Sequence, residues 1–528
     1  EQYADALTLL DRVVNKYELD KKQEFQDIFA QYLSIRGCSL IVLGREVEAQ
    51  SSWEEAIRTL RESGLPETEM VRLDCIMAMN RAGAQYRSGQ LEEAIESWSE
   101  VVERFQESNQ PNIQSMVAKA LTDSGTGLIR LRRFEKALTV LQQIEDRFGA
   151  SDAMEMAAIV ANSFPNRCVV LFELNRLEEG LAVSERAMHR FGNIDSPEVT
   201  ESVAAILLNK GIALAVAGRN EDALSVWLEI ESRFGDHSEP GILKRLASAL
   251  VRKGTTLLDM GRSESAIRVW DDVMHRFRGD ATLYHAQITS AALERMNALI
   301  QLGRLEKALL ASEEALHLVR GGSEDSSMHS LARVLLTRGS LLVSQHKIAE
   351  GLAAWDEVVD RFEKSGTAEL RGAAELALCE RGNHELTNGR IDPAIAFLDR
   401  ALLPTQAGTP RNRLRGHLIR AKAYIAEGND ESCVSDIERA LSFLPESATF
   451  PRRVIEMLAE LAVDIGMARM RDLINSSPAA DILLPLTTAF ERELGLEPKV
   501  AREVDEVAED IRREFLSEHA RSGAWAAH

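Results

Sequence analysis

The sequence predicts an all-α fold, a solenoid of about eleven helical hairpins followed by a C-terminal helical cap. Three observations support this prediction. The chain has 528 residues, whereas a single compact core usually takes about 100–200 residues. It contains only 16 Phe, 6 Trp, 6 Tyr and 13 Pro, a composition that is poor for β-sandwiches and suits helices packed through Ala, Leu and Gly. One pattern also recurs about every 43 residues, as in repeat architectures.

Each repeat carries two small residues at fixed places. One opens the second helix of the predicted hairpin, and its copies are Ala6, Ala49, Ala94, Ala137, Gly180, Ala223, Ala266, Ala308, Gly351, Ala394 and Cys433. The other lies twelve residues earlier, and its copies are Gly37, Ala82, Gly125, Cys168, Gly211, Gly254, Met296, Gly339, Gly382 and Ala421. Small residues at facing positions let two antiparallel helices approach closely where they cross. Each repeat is therefore predicted to be a helical hairpin.

Three further columns mark the hairpin. A left-handed glycine is predicted in the turn between the two helices, at Gly44, Gly89, Gly218, Gly261, Gly303, Gly389 and Gly428. Five tryptophans share one column of the second helix, and we interpret them as filling the gap between neighbouring hairpins: Trp53, Trp98, Trp227, Trp270 and Trp355. The second helix ends on an Arg-Phe pair such as Arg104-Phe105, which places a cation at the negative end of the helix dipole.

This pattern resembles the tetratricopeptide repeat (TPR). The small, turn-glycine and aromatic positions of that family correspond here to Gly254, Gly261, Ala266, Trp270 and Val273, and the likeness extends from residue 1 to about 445. The resemblance implies a right-handed α-α superhelix whose concave groove binds a protein or peptide. The period of 43 residues exceeds the 34 of the family, which predicts longer helices of roughly 17 residues, or about 25 Å.

The spacing also predicts the domain boundaries. Residues 1–17 match a second helix alone and are expected to belong to a truncated repeat, which suggests a fragment of a longer protein. Residues 18–445 are expected to form the TPR-like solenoid, of about ten repeats. Residues 446–517 depart from the period and are predicted to be a helical cap, with a dimerisation or docking helix as the alternative. Residues 518–528 are expected to be a disordered tail.

Charge and cysteine content narrow the function classes. The net charge of −21 argues against nucleic acid as the main partner, since such binding needs clustered Lys and Arg. The apolar stretch from Ser202 to Gly218 is interrupted by Asn209 and Lys210, so we expect no membrane-spanning helix. Five scattered cysteines without a CxxC pair favour a reducing cytoplasm.

No catalytic or cofactor-binding motif is found in the sequence, so we expect no catalytic residue and no cofactor. His189, His275 and His317 share one repeat column. Neighbouring hairpins lie about 10 Å apart, whereas zinc ligands lie about 2 Å from one metal ion. The column is therefore not expected to bind a metal.

A basic column precedes the small residue of the first helix: Arg36, Arg81, Arg167, Lys210, Lys253, Arg295, Arg338, Arg381 and Arg420. It is predicted either to form a structural ladder with an acidic column or to line the groove for an acidic ligand. The acidic column consists of Glu92, Glu135, Glu178, Glu221, Glu264, Glu306, Asp392 and Glu431.

Residues that recognise a partner should vary between repeats, because a partner is not periodic. On this ground we predict that a groove ligand contacts variable polar positions of the first helices: Asn80, Asn166, Asn209, Arg252, Thr255, Asn297 and Asn383. The favoured function is a non-enzymatic scaffold for protein binding. The alternative is a sensor or regulatory arm of a larger bacterial enzyme, with a catalytic domain N-terminal to this segment of the same polypeptide.

Overall fold

The computed structural model describes residues 25–151, 153–280, 283–320, 325–403 and 409–443, together with single positions near both ends. Regular structure in these ranges is helical, and they contain no strand. Twenty α-helices follow one another: α1 Gln26–Val42, α2 Glu46–Glu62, α3 Glu67–Arg87, α4 Leu91–Phe105, α5 Pro111–Arg130, α6 Phe134–Phe148, α7 Met154–Glu173, α8 Leu177–Phe191, α9 Pro197–Val216, α10 Asn220–Phe234, α11 Pro240–Asp259, α12 Ser263–Arg276, α13 His285–Gln301, α14 Leu305–Arg320, α15 Asp325–Ser344, α16 Ile348–Phe362, α17 Ala368–Thr387, α18 Ile391–Ala401, α19 Pro410–Glu427 and α20 Asp430–Ser442. A short 3₁₀ helix, Arg278–Asp280, follows α12.

The odd-numbered helices are the first helices of the hairpins, here called A helices, and the even-numbered ones are the B helices. The chain divides into two compact units. The first unit comprises Glu1–Ala213 with Ser225–Leu246, and the second comprises Leu214–Leu224 with Ala247–His528. Most A helices have about 20 residues and most B helices about 15, so the long period lengthens mainly the A helix.

The two helices of a hairpin meet where the small residue of the A helix faces the tryptophan of the B helix. A methyl group on Gly37 or Gly339 would overlap the indole nitrogen of its own hairpin. The indole N–H donates to an A-helix carbonyl, from Trp53 to Ser34 at 3.3 Å and from Trp355 to Leu336 at 3.2 Å. The absent Cβ therefore lets the tryptophan reach the backbone.

The second hairpin shows what the small residue does. It holds Ala82 in place of glycine, and the buried indole N–H of Trp98 has no hydrogen-bond partner there. The ring of Trp98 also lies close to the next hairpin. A Cβ atom added to Gly127 would lie 3.6 Å from the Cζ3 atom of this ring. The interpretation of the tryptophans as fillers between neighbouring hairpins is thus incomplete, because the nitrogen edge of Trp53, Trp270 and Trp355 packs within its own hairpin.

The predicted turn glycines adopt the expected conformation. All seven have φ between 67° and 87°. Three described turns carry another residue in the same place, namely Arg132, Asn175 and His346, with φ of 56°, 58° and 61°. These three positions lack the conformational freedom of glycine and are strained relative to the rest of the column.

The predicted end segments lie largely outside the described residues, so the boundaries 1–17, 446–517 and 518–528 stay predictions. At the N-terminal end, Leu7 packs with Leu40, Ala49 and Trp53 of the first hairpin. At the C-terminal end, five apolar residues pack with the hairpin α19–α20: Leu458, Leu461, Met470, Leu473 and Ile474.

Among the described residues, one helix is long and apolar enough to cross a membrane, Pro197–Val216. Its apolar window is 72% buried within the protein. Burial of this kind is also found in the core helices of proteins without a membrane segment, so the helix is weak evidence for a membrane span.

Candidate functional site

A polar strip crosses the A helices of the first unit. It consists of Asn80 on α3, Asp123 on α5, Asn166 on α7 and Asn209 on α9, and we call these four residues the A-helix strip. Three of them are among the predicted groove residues. Asn80 and Asp123 are exposed, Asn166 is half-buried and Asn209 is buried. The side chains of the strip are therefore accessible to solvent at its first two positions and inaccessible at its last.

The two later asparagines connect neighbouring A helices. The Asn166 amide donates to the Thr126 hydroxyl of α5 at 3.1 Å. The Asn209 amide donates to the backbone carbonyl of Pro165 in α7 at 3.2 Å. Asn209, although predicted as a groove residue, thus supports the packing of the helices, and its burial leaves little of it for a ligand.

Asp123 is the charged member of the strip. Its environment of surrounding protein atoms raises the pKa of the carboxyl group to about 6, since desolvation disfavours the charged form, and Lys119 one turn earlier lowers the pKa by less. The side chain nevertheless remains exposed.

The remaining predicted groove residues lie in the second unit. Arg252 is half-buried, and loss of hydration lowers its pKa while the charge of Glu294 opposes this shift. The Thr255 hydroxyl bonds the carbonyl of Val251 at 3.3 Å within its own helix. Asn297 and Asn383 are half-buried. Of these four residues, Arg252 carries the only charge.

Ion pairs occupy the strip position in the second unit. Glu294 on α13 pairs with Arg333 on α15 at 3.4 Å, and Glu380 on α17 pairs with Arg415 on α19 at 2.6 Å. Each acid is thus held by an arginine of the next A helix. At the same position the first unit has three amides and one carboxyl group, that of Asp123, and none of the four forms an ion pair with a described residue.

Most of the basic column forms a structural ladder, but not with the predicted acidic column. Its members pair with carboxylates in the middle of the B helices: Arg167 with Glu145, Lys210 with Glu185 at 3.9 Å, Arg295 with Asp271 at 2.7 Å and Glu314 at 3.0 Å, Arg338 with Glu313 at 3.2 Å, Arg381 with Asp356 at 3.3 Å, and Arg420 with Asp399 at 2.6 Å and Asp436 at 2.7 Å.

The predicted acidic column pairs elsewhere, with the arginine that precedes the B helix of the following repeat: Glu92 with Arg133 at 3.1 Å, Glu135 with Arg176 at 3.7 Å, Glu221 with Arg262 at 2.9 Å, and Glu264 with Arg304. The expected pairing of the two columns is wrong for a geometric reason. The acidic column lies in the first turn of the B helix, about seven residues, or about 10 Å, from the level of the basic column.

A buried polar cluster in the last described hairpin was missed by sequence reasoning. His417 bonds Asp436 at 2.9 Å through its Nδ1, and Arg420 bonds both oxygens of Asp436 at 2.7 Å. The other residues in the column of His417 are apolar, and the column of Asp436 otherwise holds serine or apolar residues. These two departures from the repeat were the available signal.

The described residues contain no group of three or more His, Cys, Asp or Glu arranged to hold a metal ion. His189, His275 and His317 are exposed near the ends of separate B helices. All five cysteines are free thiols, and burial raises the pKa of those at positions 38, 75, 168 and 379 to about 11 or 12. These thiols are therefore poor nucleophiles.

Comparison with known proteins gives one family and several similar structures. A family model for the tetratricopeptide repeat matches residues 336–410, which include α16, α17 and α18. No curated protein matches the sequence.

Among solved structures, the apo form of RapI has 12% identity and a TM-score of 0.45, and the match covers 70% of this chain and 96% of that one. The structure of Naa15/Naa10 bound to HypK-THB has 13% identity and a TM-score of 0.30, with 99% and 79% covered. A Rap protein complexed with Competence and Sporulation Factor has 14% identity and a TM-score of 0.35, with 72% and 99% covered. At these levels none of them specifies a ligand for this chain.

The family match falls on hairpins that share several columns with the rest of the described chain. The small residues Gly339 and Gly351, the buried Trp355 and the left-handed Gly389 lie within the matched range. The same arrangement recurs from α1 to α20. Residues 336–410 therefore match the tetratricopeptide repeat, and the described helices belong to a helical-repeat protein with a long unit of about 43 residues.

Proposed function

We propose that the protein is a non-enzymatic scaffold that binds a protein or peptide along the A-helix strip of its first unit. The tetratricopeptide type of repeat supports a protein-interaction scaffold in general. The observation that carries the proposal is the strip itself, where exposed Asn80 and Asp123 occupy a position that ion pairs fill on two A helices of the second unit. The unpaired thiols favour a reducing compartment such as the cytoplasm.

The strip suits an extended peptide backbone. A side-chain amide offers both a donor and an acceptor. Asn80, and the hydrogen-bonding groups of Asn166 that Thr126 does not use, therefore match the alternating N–H and C=O groups of a peptide. Each such neutral hydrogen bond contributes about 0.5–1.5 kcal/mol. Affinity would then come from several weak contacts along successive A helices.

The test compares two triple variants by affinity capture from a lysate of the source organism with quantitative mass spectrometry. The strip variant combines Asn80→Ala, Asp123→Ala and Asn166→Ala. The control variant removes the same chemistry, two amides and one carboxylate, from exposed positions at or near the B helices: Glu96→Ala, Gln106→Ala and Asn193→Ala.

We expect proteins captured by the wild type to be retained by the control and lost from the strip variant. Because Asn166 also bonds Thr126, the double variant Asn80→Ala/Asp123→Ala separates lost binding from altered packing, with helicity checked by circular dichroism. Capture that survives the strip changes and disappears with the control changes would place the binding surface on the B helices instead.

A further inference from the structure

Arg81 departs from the rest of the basic column. Six of its members pair with a B-helix carboxylate, and Arg36 donates to the Ser52 hydroxyl. Arg81, in contrast, has no hydrogen bond or ion pair to any described residue. Its buried Nε–H has no acceptor, as is also true of Arg167, Arg295 and Arg381, but those three arginines form ion pairs with carboxylates. Its guanidinium lies 5.2 Å from the ring centre of Trp53.

The sequence explains why no carboxylate reaches Arg81. The B-helix position that holds Asp271 or Asp356 in later repeats is taken by Glu54 before α3, and Glu54 is exposed and accepts from Gln50 at 2.8 Å. On the following B helix, Glu100 pairs with Arg104 at 3.0 Å. Arg81 therefore forms no ion pair with either of these two carboxylates.

Arg81 borders a cleft between the first two hairpins. The cleft opens to solvent, and its walls come from α1, α2, α3 and α4. Ser34 is 1% exposed, lines the cleft and carries a hydroxyl without a partner. Two buried donors, one of them cationic, thus border the same space, and neither has a hydrogen-bond partner among the described residues.

The rest of the lining restricts what the cleft can hold. Five of its residues are apolar, namely Trp53, Ala56, Ile57, Met77 and Ala78. Asp74 and Arg104 form an ion pair in the cleft wall, where Glu100 adds a second carboxylate. The lining thus holds two acids, Asp74 and Glu100, and two arginines, Arg81 and Arg104. Its charges balance, which disfavours a dianion such as phosphate, whereas a single carboxylate fits both the donors and the apolar wall.

We propose that this cleft binds a carboxylate group on a short apolar chain, with Arg81 and Ser34 as its hydrogen-bond donors. The site is separate from the A-helix strip, because it lies between hairpins and is walled by the B helices α2 and α4. Two sources offer this chemistry, a free short-chain carboxylic acid and the side chain of a glutamate in a partner protein.

The test follows the Nε–H resonance of Arg81 and the indole N–H of Trp53 in ¹⁵N NMR spectra of the full chain. Butyrate represents the free acid, N-acetylglutamate N-methylamide represents the glutamate side chain, and inorganic phosphate is the dianion control. For so small a ligand we expect saturation on the order of millimolar concentration. Binding of butyrate without binding of the blocked glutamate would identify a free acid as the ligand. Equal affinity for the two compounds would identify a glutamate side chain of a partner protein.

Two variants assign the binding to the cleft. Arg81→Gln should lower the affinity at least about tenfold, while Arg36→Gln in the same column of the preceding hairpin should leave it unchanged. Ser34→Ala removes only an unpartnered hydroxyl, so the fold is retained and the affinity should fall roughly two- to tenfold. Unchanged affinity in both the Arg81 and Ser34 variants would overturn the proposal, as would tighter binding of phosphate or no saturation by either carboxylate.

Discussion

Gly254 lies against the indole of Trp270 so closely that a Cβ at position 254 would overlap the ring nitrogen. The indole N–H donates to the Val251 carbonyl of the same A helix at 3.1 Å. The glycine and the hydrogen bond are two sides of one constraint, since only an A helix without a side chain at this point lets the B helix approach its backbone.

The first prediction concerns this contact. Gly254→Leu should lower the free energy of unfolding by about 1–3 kcal/mol, because the added atoms overpack a site filled by the indole. Gly83→Leu is the matched control, since a Cβ at position 83 meets only the end of Arg87 at 3.4 Å. There the better helix propensity should leave stability unchanged or raise it by up to about 1 kcal/mol.

Urea unfolding followed by tryptophan fluorescence measures both changes, and hydrogen exchange shows whether the loss stays near α11 and α12, as nearest-neighbour contacts imply. Equal free energies of unfolding for the two variants would show that the contact at Gly254 does not contribute to stability.

The second prediction separates buried from exposed ion pairs. Arg167 is 1% exposed, pairs with Glu145 and donates to Gln142 at 3.1 Å. Arg167→Ala should cost about 2–4 kcal/mol, because it leaves a cavity and an unpaired carboxylate. Arg133→Ala breaks the exposed pair with Glu92 and should cost less than about 0.5 kcal/mol. Thermal unfolding of both variants in low and high salt checks the contrast, and a cost for Arg133 as large as that for Arg167 would contradict it.

The periodic features of the fold could be predicted from the sequence because each is a local requirement repeated in every unit. A turn such as that at Gly261 needs a left-handed residue, and a close crossing such as that at Gly254 needs a small one. These requirements recur in the same column and stand out against variable surface positions. The sequence columns therefore predict the hairpins and their turns.

Contacts between repeats could not be predicted in the same way. The carboxylate that pairs with Arg295 depends on how far two packed helices are shifted along their axes. The sequence columns do not determine that shift. The burial of Asn209 likewise depends on how closely α7 and α9 pack. The lack of a hydrogen-bond partner for Arg81 could not be predicted either, because it depends on which residues the nearby carboxylates bond to.

The third prediction concerns the turns without glycine. His346 has a φ of 61° and is exposed. His346→Gly should raise the free energy of unfolding by roughly 0.5–1 kcal/mol, since glycine removes the strain of a left-handed side chain. Asn175→Gly, at a φ of 58°, should gain less, because asparagine tolerates this conformation better. Denaturant midpoints measure both, and a loss of stability in the His346 variant would mean that the side chain contributes more than the strain costs.

The last prediction concerns a buried acid. Glu375 on α17 is 1% exposed, and neither carboxyl oxygen has a hydrogen-bond partner. Burial raises its pKa to about 7, although the charges of Arg413 and Arg371 lower the pKa in part. The Asn412 amide, which donates to the Gly372 carbonyl at 2.7 Å, also lowers the pKa, by less than the two arginines do.

The pH dependence follows from the direction of this shift. In the unfolded chain the carboxyl titrates near 4.5, so between about pH 4.5 and 7 the folded state holds more protons and stability falls as pH rises. Below that window the group costs nothing, and above it the cost is complete, on the order of 2–3 kcal/mol. Glu375→Gln should therefore match the wild type near pH 4.5 and exceed its stability at pH 8.5. Glu369→Gln, at an exposed position of the same helix, is the control and should show no such divergence. Urea unfolding at several pH values measures the difference, and parallel curves for Glu375→Gln and wild type would show that the buried carboxyl is not protonated in the fold.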